Sequence, residues 1–396
     1  MSGTAPSAER REHYSVLDSF RGLCACLVAL SHFRADSIFG GSPIFDNGSV
    51  YVDFFFVLSG FVIFANYARK LQNGFGLGKF VFLRFGRIYP LHFFVLAAFI
   101  TADAVQLFLP SAGALYKPFS APGESTGDIA ANLFLVHSLH VSETLAFNGP
   151  SWSISVEFYT YILFGLILVS IRRFQKTFIA LLGLCAAFLL YHLYGKLYAQ
   201  LDYGFLRCVY GFACGGLTWE VFSRISPAFK RTEGGKRVFD AAEAVLLCLC
   251  AAYIHFLSQA GGWSMAAPLV FSGVIALFAF EGGFVSRFLQ GKAFLFLGAL
   301  SYSIYMTHLF IAGKFFEFPA RVLERKTGLI LAPERDGVKV FGENILSGTA
   351  WEVFYLLTVI ACSYASYKVI EEPFRKFSRR LADGRSGKHN FQAGTA

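Results

Sequence analysis

The sequence predicts an all-α integral membrane protein with about ten transmembrane helices and both termini in the cytoplasm. Three observations lead to this fold class. Of the 396 residues, 55% are hydrophobic and only 15% charged, against roughly 25% charged in soluble domains. Ten apolar runs approach the roughly 20 residues that a bilayer core requires. Lys and Arg, finally, are divided unevenly among the segments between those runs, as the positive-inside rule demands. The composition excludes a cytosolic globular domain, a disordered chain, a collagen and a disulfide scaffold. The net charge of +9 is spread over several loops. It serves topology and predicts no nucleic-acid partner; membrane lipid is the expected surrounding.

The runs are residues 16–33, 50–65, 88–109, 151–171, 177–193, 203–222, 241–257, 263–280, 294–312 and 349–369. The sixth differs from the rest in holding Arg207, Glu220 and four glycines. With the N-terminus inside, the cytoplasmic segments carry 23 Lys and Arg and the outer segments 9, six of these in the long loop 313–348. The expected organisation is a cytoplasmic tail over 1–13, a membrane domain over 14–373 and a basic cytoplasmic tail over 374–396. The polar start of the chain predicts no cleaved signal peptide. Within the outer loop 110–150, the apolar stretch 129–139 is too short to span and is expected to be re-entrant or interfacial. All eight cysteines fall in predicted spans, as reduced, buried fillers. None has zinc-like spacing, and no metal site is expected.

Ionisable groups inside spans are costly and mark candidate sites. In the first run, Arg21 and His32 are eleven residues apart, which brings them within about 20° of one helix face and roughly 16 Å apart along the axis. Asp18, three residues before Arg21, can pair with it. Alternatively Arg21 snorkels to the interface and His32 marks the end of the helix. The second run opens with Tyr51-Val-Asp53, which places Asp53 at the depth of His32. There it either orients the imidazole, as in a His–Asp base, or starts the helix. Arg84 and Arg87 lie before the third run. They present two guanidinium forks on one side of a turn, suited to a polyphosphate or serving only as topogenic charge.

The fourth run begins Pro150-Ser-Trp-Ser, with Ser151 as a helix cap. Ser153 and Glu157, at i and i+4, face one side and can meet one ligand hydroxyl. In the ninth run Ser301, Tyr305 and His308 form a polar stripe that lines a cavity or joins helices. Pro373 is expected to end the last helix, beside Glu371 and Glu372, which can pair with cytoplasmic arginines. His92, His137, His140, His192 and His255 carry no ligand-like spacing.

Together these segments resemble the acyltransferase-3 family of membrane O-acyltransferases. The pieces are Arg21-x10-His32, the Asp-Phe-Phe-Phe-Val-Leu-Ser-Gly-Phe run from Asp53, Arg84-x-x-Arg87-Ile-x-Pro90, Pro150-Ser-Trp-Ser-x-x-x-Glu157, Ser301-Tyr-x-x-Tyr-x-x-His308 and Glu372-Pro373. They stand in the family's order along almost the whole chain. The resemblance implies transfer of an acyl group, usually acetyl from acetyl-CoA, to a hydroxyl of a glycan beyond the cytoplasmic membrane. It makes His32 look like the catalytic histidine, with Arg21 as its paired cation and Asp53 or Glu157 orienting it. Arg84 and Arg87 look like the donor-binding motif; Trp152, Ser153, Tyr305 and His308 are expected to line the substrate. Direct transfer and an acyl-histidine are both compatible with these residues. The extracytoplasmic esterase-like domain of some members is not expected here. Two competing functions remain, a polytopic transporter or flippase and an acyltransferase acting on a secondary metabolite. Transport predicts inverted repeats, which the sequence does not display.

Overall fold

The structure, a computed structural model, describes residues 13–107, 124–229, 236–335 and 338–392. Most of the expected N-terminal tail, Lys117 in the outer loop, and Lys230 and Arg231 lie outside the described residues. Ten long helices stand where ten spans are expected. They are α1 (Ser15–Ser31), α2 (Gly48–Ile63), α3 (Leu77–Leu107), α4 (Trp152–Ser170), α5 (Gln175–Tyr194), α6 (Gly204–Phe229), α7 (Lys236–Phe256), α8 (Ala267–Phe278), α9 (Lys292–Phe310) and α10 (Ile345–Ser366). An eleventh, α11 (Glu372–Gln392), follows. The only strands among the described residues are a two-residue ladder, Glu334–Arg335 against Val338–Lys339.

Among the described residues eight stretches are long and apolar enough to cross a membrane; α1 and α6 fall short for different reasons. With 17 residues, α1 is about 25 Å long. In α6 the charges lower the hydropathy, but α2, α4, α5 and α8 surround it, so protein and not lipid faces Arg207. The same layering governs burial. The Gly48–Gln72 window is 72% buried, whereas Gln175–Tyr194 and Arg237–Phe256 are 22% buried. Those outer helices turn Leu181, Leu184, Phe188 and Leu249 outward, where lipid, not water, is the solvent. Cys185 and Cys248 are exposed on them, which corrects the expectation that every cysteine is buried. All eight are free thiols.

Small residues let the central helices touch backbone to backbone, as helices in lipid do when no hydrophobic drive separates them from the solvent. A Cβ added at Gly22 would lie 2.5 Å from the Gly298 nitrogen, and one at Gly215 would lie 1.9 Å from the Val57 carbonyl oxygen. These contacts lock α1 to α9 and α2 to α6. A Gly215→Ala variant should therefore lose about 1–3 kcal/mol of stability by overpacking. The readout is a lower melting temperature in detergent, with Gly273→Ala, whose Cβ meets nothing within 4 Å, as the neutral control.

Three segments differ from expectation. The third helix starts at Leu77, not Ile88, because its polar first turns pack against protein. The outer loop 313–348 is partly helical: α9 continues through a π-helical stretch Ile311–Glu317 into Phe318–Thr327 and ends at Gly328, whose φ of 73° suits glycine. The chain also remains helical across Pro373. A π-helical turn, Tyr367–Glu371, precedes that residue and takes up the register change where proline has no N–H to donate. A helix, Thr126–Leu133, held by a Ser125–Asp128 capping box, covers the first part of the short apolar stretch of the other outer loop.

Candidate active site

A cavity of about 110 Å³ opens among α1, α2, α3, α4 and α9. Its polar lining gathers residues from every one of those helices: Arg21, Ser59, Arg84, Arg87, Ser153, Glu157, Ser301 and Tyr305 among them. Three guanidinium groups face one carboxylate, so the lining is electropositive and favours an anionic guest. Apolar walls from Val52, Phe55, Leu58 and Ile88 strengthen each of those charges by excluding water.

Arg21 and Arg84 are held by identifiable contacts. The Arg21 Nε donates to Ser301 Oγ at 2.7 Å and its Nη2 to the Gly298 carbonyl at 3.1 Å, while Nη1 pairs with Asp18 at 3.1 Å. Arg84 and Arg87 do not sit on a turn, as the sequence suggested, but on the helical face of α3. Arg84 is 6% exposed. It donates to the Tyr67 hydroxyl at 2.8 Å, and its guanidinium carbon lies 4.8 Å from that ring and 5.8 Å from the Tyr161 ring. These aromatic faces make its burial tolerable. Its Nε has no hydrogen-bond partner. Glu157 accepts from Ser59 Oγ at 2.5 Å and from the Tyr161 hydroxyl at 2.6 Å, so two neutral donors from α2 and α4 fix its carboxylate in the cavity wall.

The cavity lining reaches Tyr305 and does not include His308 or His32. Tyr305 donates to the Pro150 carbonyl at 2.9 Å and exchanges a hydrogen bond of 2.8 Å with Ser153. Its ring centroid is 5.9 Å from that of His308, which in turn is 4.9 Å from that of His32. His32 closes α1 and is exposed. Its Nδ1 lies 2.8 Å from the Val28 carbonyl. A carbonyl only accepts, so Nδ1 carries the proton and Nε2 keeps its lone pair. His308 is fully buried, its Nδ1 is 3.2 Å from the Ile304 carbonyl, and its Nε2 has no partner.

Asp53 is elsewhere. Both its oxygens take hydrogen bonds from Arg207 at 2.8 Å, to Nε and Nη2, and neither side chain is exposed at all. Arg207 also donates to the Ser49 carbonyl at 2.6 Å and lies 5.2 Å from the rings of Trp152 and Tyr198. His32 is thus oriented by a backbone carbonyl and not by Asp53 or Glu157, and Asp53 belongs to a buried ion pair between α2 and α6. Two intramembrane charges of opposite sign offset each other's desolvation best in direct contact. Trp152 packs over that pair and against Phe56 at 5.9 Å, which keeps it out of the cavity lining. Ser151 does not cap α4 through its side chain; its hydroxyl is 3.2 Å from His137 Nε2. Glu371 accepts from Ser303 at 2.9 Å, and Glu372 pairs with Lys368 and Lys376 on its own helix.

Arg207 and Tyr67 went unassigned in the sequence. The signal for the first was present: a lone Arg and a lone Asp in two apolar runs. Nothing local marks Tyr67 as the partner of an arginine 17 residues on. Among the described residues no group of three or more His, Cys, Asp or Glu gathers to hold a metal.

A family model described as an acyltransferase domain matches residues 14–368. The acyltransferase MdmB of Streptomyces mycarofaciens is 36% identical over a match covering 36% of this chain and 34% of MdmB. Protein 2 in the picA locus of Rhizobium radiobacter is 33% identical over 36% of this chain and 76% of its own. The putative peptidoglycan O-acetyltransferase YrhL of Bacillus subtilis is 25% identical over 92% of this chain and 56% of its own length. The match thus spans about a third of the first of these relatives and about half of the last. No solved structure matches the chain.

Proposed function

Because the chain belongs to the acyltransferase-3 family of integral membrane proteins, we propose that it is an O-acyltransferase. It moves an acyl group, acetyl by default, from cytoplasmic acyl-CoA to a hydroxyl of an extracytoplasmic glycan. The observation that carries this reading is the electropositive cavity lined by Arg21, Arg84, Arg87 and Glu157, which reaches Tyr305 beside the His308–His32 pair. A soluble polyanion cannot cross the bilayer, so its phosphates stay at the arginine end while the thioester arm extends along the apolar walls. The kinship with a putative peptidoglycan O-acetyltransferase supports acetyl as the group and a cell-envelope saccharide as the acceptor. The protein then works in the cytoplasmic membrane with its termini inside, the site lying within residues 14–373.

In this reading His32 Nε2 takes the acceptor's hydroxyl proton as the oxygen attacks the thioester carbonyl. The carbon–sulfur bond breaks, and the leaving thiolate recovers the proton from the imidazolium as free thiol. Tyr305 and Ser153, nearest the histidine pair, supply donors for the oxygen that gains charge, and Arg21 serves at the phosphate end. Asp53 then serves by holding α2 to α6.

The test is purified protein in proteoliposomes with radiolabelled acetyl-CoA outside and a glycan acceptor inside. The expected result is acceptor-dependent release of free CoA and label on the glycan. Transfer only to a secondary metabolite would change the acceptor class, and acceptor movement without CoA release would favour a transporter. The Arg84→Ala/Arg87→Ala double variant should raise the KM for acetyl-CoA about 10-fold or more, since each charge-assisted bond contributes roughly 1.5–3 kcal/mol; an unchanged KM rules out phosphate docking there.

A further inference from the structure

Next to the central cavity lies a second, small pocket lined by Tyr67, Leu83, Arg84, Arg87, Arg375 and Arg379. Arg84 and Arg87 line both pockets, so the two are joined at a shared pair of guanidinium groups. The other two arginines come from α11, beyond Pro373. Four cations from two helices face one small pocket, and no carboxylate is in its lining.

The packing of α11 explains why they converge. A Cβ at Gly86 would lie 2.0 Å from Ser378 Oγ, so α11 rests directly on the backbone of α3 at that point, with Ser378 buried. Arg84 and Arg87 flank Gly86; Arg375 and Arg379 flank Ser378. The glycine therefore brings the two arginine pairs together. Of the nearby acids, Asp383 pairs with Lys79 at 3.2 Å and Glu372 with Lys368 and Lys376, while Glu371, hydrogen-bonded to Ser303, supplies a buried carboxylate that acts on Arg87 and Arg375. Arg375 is steadied by the Tyr367 hydroxyl at 3.1 Å. Arg84 is buried, with its guanidinium held by the Tyr67 hydroxyl at 2.8 Å.

We infer that α11 completes the donor site, and that Arg375 and Arg379, with Arg84 and Arg87, bind the phosphorylated nucleoside end of the donor, a nucleoside 3′-phosphate 5′-diphosphate. The inference rests on the acyl-CoA reading and adds to it the part of the donor that is discriminated. Several phosphoryl groups match several guanidinium forks, each able to bind two oxygens, whereas a thioester arm bearing a single phosphate leaves most of them without a partner. The C-terminal helix thereby selects full-length CoA over truncated carriers.

The experiment measures binding of CoA, of CoA lacking the 3′-phosphate and of pantetheine 4′-phosphate to the full chain in phosphatidylcholine nanodiscs, where no anionic headgroup supplies the signal. Wild-type protein should bind CoA most tightly. Arg375→Gln/Arg379→Gln should weaken CoA about 10- to 100-fold, reduce the preference over the other two probes, and leave pantetheine 4′-phosphate unchanged. Arg375→Lys/Arg379→Lys keeps the charge and should recover CoA binding to within about 10-fold, which separates lost attraction from a displaced helix. Wild-type CoA affinity in the glutamine variant overturns the role of α11 and leaves the donor reading intact. Equal weakening of all three probes also overturns it, as a general distortion. Wild-type protein that binds no CoA overturns the donor reading itself, and this one with it.

Discussion

A His32→Ala variant is expected to lose acyl transfer by about 10²- to 10⁴-fold, the range over which a positioned acid–base group acts, while melting within a degree or two of the wild type. The separation of activity from stability follows from where the residue stands. His32 ends α1, is exposed, and is tied to the protein mainly through one bond to the Val28 carbonyl and the face of His308. Removing it leaves no buried charge and no internal void. The measurement is single-turnover transfer of labelled acetyl from acetyl-CoA, beside a melting curve in the same detergent. His32→Gln, similar in polarity but with no basic nitrogen, should be equally inactive. Full transfer by either variant would end the assignment of His32 as the base.

The second large effect is on stability. Arg207→Ala or Asp53→Ala should cost roughly 3–5 kcal/mol, because each leaves a partner charge buried without compensation. Neither side chain of the pair is exposed, and the loss of Arg207 also removes the cation between Trp152 and Tyr198. The readout is a large fall in melting temperature and in the folded protein recovered from membranes. An apolar replacement of both, Asp53→Leu with Arg207→Met, should recover most of that loss, since a buried pair exchanged for packed hydrophobic groups is often neutral. If the double variant is stable and transfers acetyl, Asp53 acts by joining helices. If it is stable but inactive, Asp53 takes part in the chemistry after all.

The two results together bear on how the site is read from sequence. Arg21 with Asp18, Arg84 with Arg87, and Ser153 with Glu157 were pairs at helical spacing, and the structure sets all of them except Asp18 in the cavity lining. Spacing along one helix is enough to predict a shared face, because helix geometry is fixed locally. The assignment of Asp53 to His32 failed for the complementary reason. It joined two helices by depth alone, and depth does not say which neighbour a side chain meets. Trp152 was placed on the substrate by its motif, yet it packs over Arg207, 55 residues away in sequence.

What the sequence by itself determined is the membrane class, the ten helices and the identity of the residues too costly to bury without purpose. Composition and periodicity suffice there because the bilayer punishes every unpaired polar group. Only the tertiary structure decided which of those residues meet: Asp53 with Arg207, His32 with His308, and the arginines of α3 with those of α11. Those meetings depend on close backbone approaches at Gly22, Gly60, Gly86, Gly215 and Gly298. A glycine in a sequence shows that a close contact is possible; the partner it admits is fixed only when the helices pack.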